Sequence, residues 1–243
     1  MVNPLWLNLA RSVFYPVTTG LAKTEVIDGA KLPRTGGAIL VLNHITHIDP
    51  LYDSVIVDKL GRRPHFLAKH SLFEKPLAKQ VLYGTGQIPV YRGTDKAVDS
   101  LAEARSMLAD GALVIIYPEG TCTKDPLGWP MISRSGVARL ALDTDVPVIP
   151  AARWGTLSIM NLYEKRFSPL PRSKVSVKFG DPLDLSAERA AGVSGRNLLA
   201  VTDTAMRAVR DLVGELRGET PPEEFYNPRK EKNKAKNKAN PDA

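Results

Sequence analysis

Leu40-Val41-Leu42-Asn43-His44-Ile45-Thr46-His47-Ile48-Asp49-Pro50 reads as the end of a buried strand, a turn, and the start of a helix. Residues 38–42 are apolar throughout, and so short a run suits a strand covered on both faces. It delivers Asn43 and His44 to the turn; Asp49 and Pro50 close it, and a second apolar segment follows. A strand end is a rigid place from which to present chemistry on a loop. Histidine is the side chain most easily poised to take a proton near neutral pH, and a carboxylate can fix its tautomer and stabilise its charged form. The same residues also have a structural use. Asp49 before Pro50 is a good helix N-cap, with proline at the first helical position. His44 would then be only a satisfied polar residue. The spacing of the pair does not decide between these readings.

Upstream, residues 3–15 form a two-faced helix closed by Pro16, with Leu5, Trp6, Leu9, Val13 and Phe14 at helical spacing and Asn8, Arg11 and Tyr15 opposite. Such a helix either lies in a membrane interface, anchored by Trp6 and Phe14, or packs on the domain. A strand is expected over residues 25–32. Downstream, a helix over 50–60 is stopped by Gly61, and a short strand over 65–68 ends at Lys69. Ser71 with Glu74 resembles a capping box, before a helix interrupted or started at Pro76. A strand over 87–91 ends at Arg92-Gly93. A helix carrying Ala97, Leu101, Ala104 and Leu108 stops at Asp110-Gly111. The apolar run 112–117 is a doubly buried strand that ends at Pro118-Glu119-Gly120-Thr121. A helix over 136–143, a strand over 147–152, alternation at Val175, Val177 and Phe179, and a strongly amphipathic helix from Leu198 to Leu216 complete the pattern.

Strands alternating with helices predict an α/β domain with a largely parallel or mixed central sheet flanked by helices. Three parts are expected: an N-terminal amphipathic helix over 1–20, one domain over 21–220, and a disordered basic tail over 221–243. Residues 229–243 hold six basic residues against two acidic ones and show no apolar periodicity. The tail is either merely solvated or touches anionic lipid.

The 243 residues carry a net charge of +7, which favours polyanions, lipid surfaces or phosphorylated substrates. Apart from the tail, the basic residues are scattered and not interleaved with aromatics, a poor nucleic-acid footprint. A single cysteine, Cys122, excludes an internal disulfide. No stretch reaches the ~20 apolar residues of a spanning helix, and the N-terminus does not read as a signal peptide.

In an α/β fold the polar clusters at strand ends converge: Asn43-His44, Arg92-Gly93, Glu119-Gly120-Thr121 and, as a fourth, Lys69. No serine-hydrolase elbow, zinc motif or phosphate loop accompanies them. His44, His47 and Asp49 in one loop are poor grounds for a metal site, and nothing marks Cys122 as an activated nucleophile. A histidine base beside cationic groups suits direct transfer of an acyl group to the hydroxyl of a phosphorylated acceptor.

Four blocks then carry a resemblance: Asn43-His44 to Asp49, Gly86 to Arg92, Pro118 to Thr121, and Val146 to Pro150. In this order they resemble the glycerolipid acyltransferase superfamily, specifically the lysophosphatidic acid acyltransferases. The resemblance implies a fatty acyl group moved from acyl-CoA or acyl-carrier protein to lysophosphatidic acid, making phosphatidic acid in phospholipid biosynthesis. It implies His44 as general base and Asp49 as its partner. Arg92 would bind the acceptor phosphate, with Lys69 near it and Glu119, Gly120 and Thr121 lining the acceptor site. Asn43, Gly93 and Arg134 are counted with the substrate-binding residues. Neither a metal nor a cofactor beyond the thioester co-substrate is implied, and His47 becomes a bystander. Peripheral contact with the cytoplasmic face of a membrane is expected. Cys122-Thr123 and Ser133-Arg134-Ser135-Gly136 depart from the family pattern, which leaves other acceptors open: a lysophospholipid, glycerol 3-phosphate or a glycolipid. The reading from a different class is a non-catalytic lipid-binding protein at the membrane surface.

Overall fold

The computed structural model describes residues 2–91, 97–170 and 172–239. Helix α1 (Pro4–Leu21) opens on Asn3, whose side chain accepts from Leu5 N at 2.9 Å. The helix runs through Pro16 instead of stopping there. The apolar positions expected on one face are divided. Trp6 and Phe14 turn inward, while Leu5, Leu9 and Val13 are exposed. Arg11 and Tyr15, expected on the outer face, bind Asp58 at 2.6 and 2.7 Å. A carboxylate on the neighbouring helix thus sets the rotation of α1, which hydrophobic spacing alone leaves ambiguous.

Strand β1 (Ala22–Ile27) follows directly, three residues earlier than expected, and a 3-10 turn takes up Gly29–Lys31. Strand β2 (Ala38–Leu42) is buried at every position. Helix α2 (Asp49–Lys59) leads to β3 (Pro64–Lys69), and α3 (Pro76–Gly84) leads to β4 (Ile88–Val90). The expected capping box is absent: Lys75, not Ser71, precedes α3, and a 3-10 turn spans His70–Leu72. Helix α4 (Ala97–Ala109), β5 (Leu113–Ile116), α5 (Gly136–Leu142) and β6 (Val148–Trp154) match the expected alternation. A small hairpin, β7 (Met160–Asn161) and β8 (Arg166–Phe167), precedes β9 (Ser173–Phe179), α6 (Ser186–Ala191) and α7 (Gly195–Arg217). The basic segment expected to lack regular structure carries helix α8 (Pro228–Ala239). Asn227 caps it, accepting from Arg229 N at 3.0 Å, and lysine, glutamate and alanine are good helix formers.

The main sheet has the order β1-β9-β6-β2-β5-β3-β4. All neighbours are parallel except β6 and β9, so the expected α/β architecture with a mixed, mostly parallel sheet is what forms. The period-2 rule distributes its core. Ile39, Val41, Val114, Ile116 and Val148 pack with α4, α5 and α7; Leu40, Leu42, Ile115 and Ile149 pack on the other face with α2. Helix α1 lies outside α2 and α3. Its approach needs Gly84, because a Cβ there would stand 2.3 Å from Trp6.

β2 lies between β5 and β6, so the chain leaves β2 toward one side and returns from β5 to the other. That reversal opens a crevice at the carboxyl ends of β2, β5 and β6. No helix among the described residues is long and apolar enough to cross a membrane.

Candidate active site

Three strand ends meet at the crevice. β2 presents Asn43 and His44, β5 runs into Tyr117 to Thr121, and β6 carries Arg153 at its end. His44 Nδ1 lies 3.0 Å from Asp49 Oδ2. The same oxygen accepts from Ile45 N at 2.6 Å and Thr46 N at 2.8 Å, while Oδ1 accepts from Thr46 Oγ1 at 2.8 Å. Asp49 is the first residue of α2, and Ile48 occupies the cap position. The expected N-cap is therefore corrected: the carboxylate reaches back to the preceding turn rather than forward into the helix.

Asp49 is fully buried, yet ionised. Burial alone would raise its pKa, but Arg153 and His44 hold it well below the usual carboxylate range. An ionised carboxylate only accepts, so Nδ1 of His44 carries a hydrogen, and in the neutral ring Nε2 is the nitrogen with the lone pair. The ring stacks on Tyr117, with centroids 4.5 Å apart. That contact fixes the ring plane as Asp49 fixes its rotation.

Beneath this pair lies a network of groups that the sequence pattern did not single out. Arg153, with no exposed surface, places Nε 3.3 Å from Asp49 Oδ1 and Nη1 2.8 Å from Asp53 Oδ2. Burial disfavours its charge, but the two aspartates keep it protonated. Burial pushes Asp53 up to about 6, against the pull of Arg153. Tyr117 donates its hydroxyl to Asp53. Two signals for these residues were available: Asp53 lies one helical turn after Asp49, and Arg153 is a charge closing an apolar strand. Neither says that the two meet 100 residues apart.

The remaining expected residues divide. Asn43 is 1% exposed and gives both amide atoms to the Arg153 backbone, at 2.8 and 3.0 Å. Glu119 is 4% exposed and accepts from His44 N at 2.9 Å and Met131 N at 3.0 Å. Both side chains, expected to touch substrate, are engaged in holding the His44 loop. Burial pushes the Glu119 carboxyl up to about 8, opposed by those two amides. Gly120 adopts φ +75°, a conformation that glycine tolerates best, and turns the chain toward Thr121. Lys69, Glu119, Gly120, Thr121 and Arg134 line the same cavity as His44. Arg92 and Gly93 lie outside the described residues.

The cavity has a volume of about 710 Å³. Leu7, Ala10 and Phe14 of α1, Leu51 and Val55 of α2, and Val81 and Leu82 of α3 form its apolar wall. His44 stands where that wall meets the polar turn 119–121. The site thus joins an apolar chamber to a histidine bound to a buried carboxylate and to cationic groups.

A family model described as Acyltransferase matches residues 23–154, more than half of the chain. The chain belongs to this acyltransferase family. The match begins in β1 and ends with β6, so it takes in His44, Asp49 and the whole turn 118–121. Among curated proteins, the chain is 29% identical over 161 residues to "1-acyl-sn-glycerol-3-phosphate acyltransferase BAT2, chloroplastic" of Brassica napus, covering 65% of this chain and 43% of that protein. It is 28% identical over 135 residues to the 1-acyl-sn-glycerol-3-phosphate acyltransferase of Borreliella burgdorferi, covering 55% of this chain and 52% of the other. The chain thus spans about half the length of the curated relatives it matches. Its fold is similar to the crystal structure of the 1-acyl-sn-glycerophosphate acyltransferase PlsC from Thermotoga maritima, with a TM-score of 0.57, 21% identity, and coverage of 85% and 82% of the two chains.

Proposed function

We propose that this member of the acyltransferase family moves a fatty acyl group from an acyl thioester to the free hydroxyl of lysophosphatidic acid. The observation that carries the reading is the position of His44: its Nδ1 is bound to a buried, ionised Asp49, and its ring faces an apolar cavity of about 710 Å³. The curated relatives bear the name of this activity.

The acyl chain lies along the wall made by α1, α2 and α3, which brings the thioester carbonyl to the turn 119–121. Arg134 and Lys69, with Arg92, attract the acceptor phosphate. Nε2 of His44 takes the proton of the acceptor hydroxyl, and the oxygen attacks the thioester carbonyl. Asp49 stabilises the imidazolium. The C–S bond breaks, and the thiol of CoA or acyl-carrier protein leaves with the proton from His44. Because the Cys122 thiol is pushed up to about 12 by burial and by nearby Asp49 and Glu119, direct transfer is favoured over an acyl-cysteine route.

Contact with the cytoplasmic face of a membrane would come through the outer stripe of α1. Leu5, Leu9, Val13 and Val17, four residues apart in series, are 41–71% exposed.

The test is mass spectrometry of products formed from defined acceptors and acyl thioesters. Phosphatidic acid from lysophosphatidic acid is expected, and His44→Ala should lower turnover by about 10²–10⁴-fold while the protein stays folded. Near-normal turnover in that variant would end the base assignment. Product from another acceptor but none from lysophosphatidic acid would replace the substrate.

A further inference from the structure

Acyl transfer leaves two side chains at the catalytic histidine without a task. Cys122 Sγ lies 3.5 Å from His44 Nε2, and His47 Nδ1 lies 3.4 Å from the same sulfur. The three atoms all fall within 4.8 Å of one another. Zinc binds thiolate at about 2.3 Å and imidazole at about 2.0–2.1 Å, so in a tetrahedral site neighbouring ligand atoms stand roughly 3.4–3.6 Å apart. Both edges that end on the sulfur already have this length. Only the edge between the histidines has to close, and His47 is an exposed side chain at the cavity mouth.

The donor set is chemically suited to zinc. Two imidazoles and one thiolate with an open fourth position match a borderline-soft cation, not magnesium or calcium. Nε2 is the nitrogen of His44 with the lone pair, because Nδ1 is committed to Asp49. A carboxylate behind a metal-binding imidazole is the usual outer partner of such ligands. The loop is held firmly as well: Glu119 binds His44 N, and Thr123 N donates to His44 O at 2.6 Å. In the sequence His47 and Asp49 stand beside His44 and make a weak ligand set. The fold supplies the third ligand from β5's loop, 75 residues from His47.

We propose that His44, His47 and Cys122 form an inhibitory zinc site that switches the enzyme off by occupying the lone pair of its catalytic base. Coordination releases the thiol proton and leaves Nε2 unable to accept the acceptor's hydroxyl proton. Removal of the cation restores the base. Binding rests on geometry alone; inhibition rests on the reading of His44 as the base.

The experiment titrates the metal-free full chain with Co²⁺, then displaces it with Zn²⁺, and assays acyl transfer with and without chelator. The expected result is one equivalent of Co²⁺ giving tetrahedral visible bands and a thiolate-to-cobalt charge-transfer band, abolished by Zn²⁺. Cys122→Ser should lose the charge-transfer band, and it and His47→Asn should each weaken binding by more than the roughly 10–100-fold that loss of an outer partner costs. Zinc should inhibit the parent reversibly, while both variants keep the parent's metal-free rate and resist zinc. No thiolate band, or equal zinc inhibition in parent and variants, overturns the site. Loss of activity on chelation overturns the inhibitory role. A cobalt band in a protein with no transfer activity toward any acceptor leaves the site standing and overturns the reading of His44 as an acyl-transfer base.

Discussion

At the residue scale, the decisive group is Asp49. Its two oxygens serve four donors besides the buried Arg153 guanidinium: the His44 ring, two amides and one hydroxyl. Asp49→Asn keeps the shape and removes the charge that supports the imidazolium. Turnover is expected to fall by roughly 10²–10⁴-fold, measured at saturating acceptor. Stability should fall by about 3 kcal/mol in urea titration, because Arg153 is left with a single carboxylate. Glu119 gives a pH signature. Its pKa rises on folding from 4.5 to about 8, so the folded state holds the proton more tightly than the unfolded chain. The stability this confers is fully present below about 4.5 and is lost as pH rises through about 8. Urea midpoints of the parent should therefore lose this contribution between those limits, and Glu119→Gln should remove that part of the slope. An unchanged slope would assign the pH dependence to other groups.

At the element scale, α1 does two jobs with two faces. Its inner residues Leu7, Ala10 and Phe14 complete the cavity wall, while Leu5, Leu9, Val13 and Val17 face outward. Ala10→Phe adds a ring to the wall without touching the polar turn. Shorter acyl thioesters should then be preferred, read as a shift of kcat/KM toward shorter chains across a donor series. If the preference stays put, the acyl chain lies elsewhere. The polar turn is braced from behind by α7. Arg217 is sandwiched between Trp129 and Trp154, with ring centroids 4.1 and 4.3 Å away, and binds Leu127 O at 2.7 Å. The last turn of this strongly amphipathic helix thus helps hold the loop that follows the turn 119–121.

At the scale of the whole molecule, the proposed membrane contact combines a net charge of +7 with an apolar stripe on α1. Paired substitutions Leu9→Glu and Val13→Glu should reduce sedimentation with vesicles containing anionic lipid, while turnover of a soluble short-chain acceptor is retained. Raising salt should weaken the parent's binding only in part, because the charge contribution is screened and the apolar one is not. Complete loss of vesicle binding at high salt would make the contact electrostatic alone.

Local pattern determined most of the elements and the pair at the centre. β2 is found over the residues read from the apolar run 38–42, and α2, β5, α5 and α7 begin and end within a few residues of expectation, because hydrophobic period and glycine or proline punctuation are properties of neighbouring residues. His44 and Asp49 are five residues apart, so one turn brings them together. The tertiary structure alone decided everything that depends on distant strands meeting. It placed Arg153 and Asp53 beneath the pair, withdrew Asn43 into the scaffold, and tied Glu119 to the His44 loop at the cavity wall. It rotated α1 by way of Asp58, and it set Cys122 against His44 and His47. Those contacts arise where β5 and β6 flank β2, and the order of strands in a sheet is a long-range choice that no local spacing records.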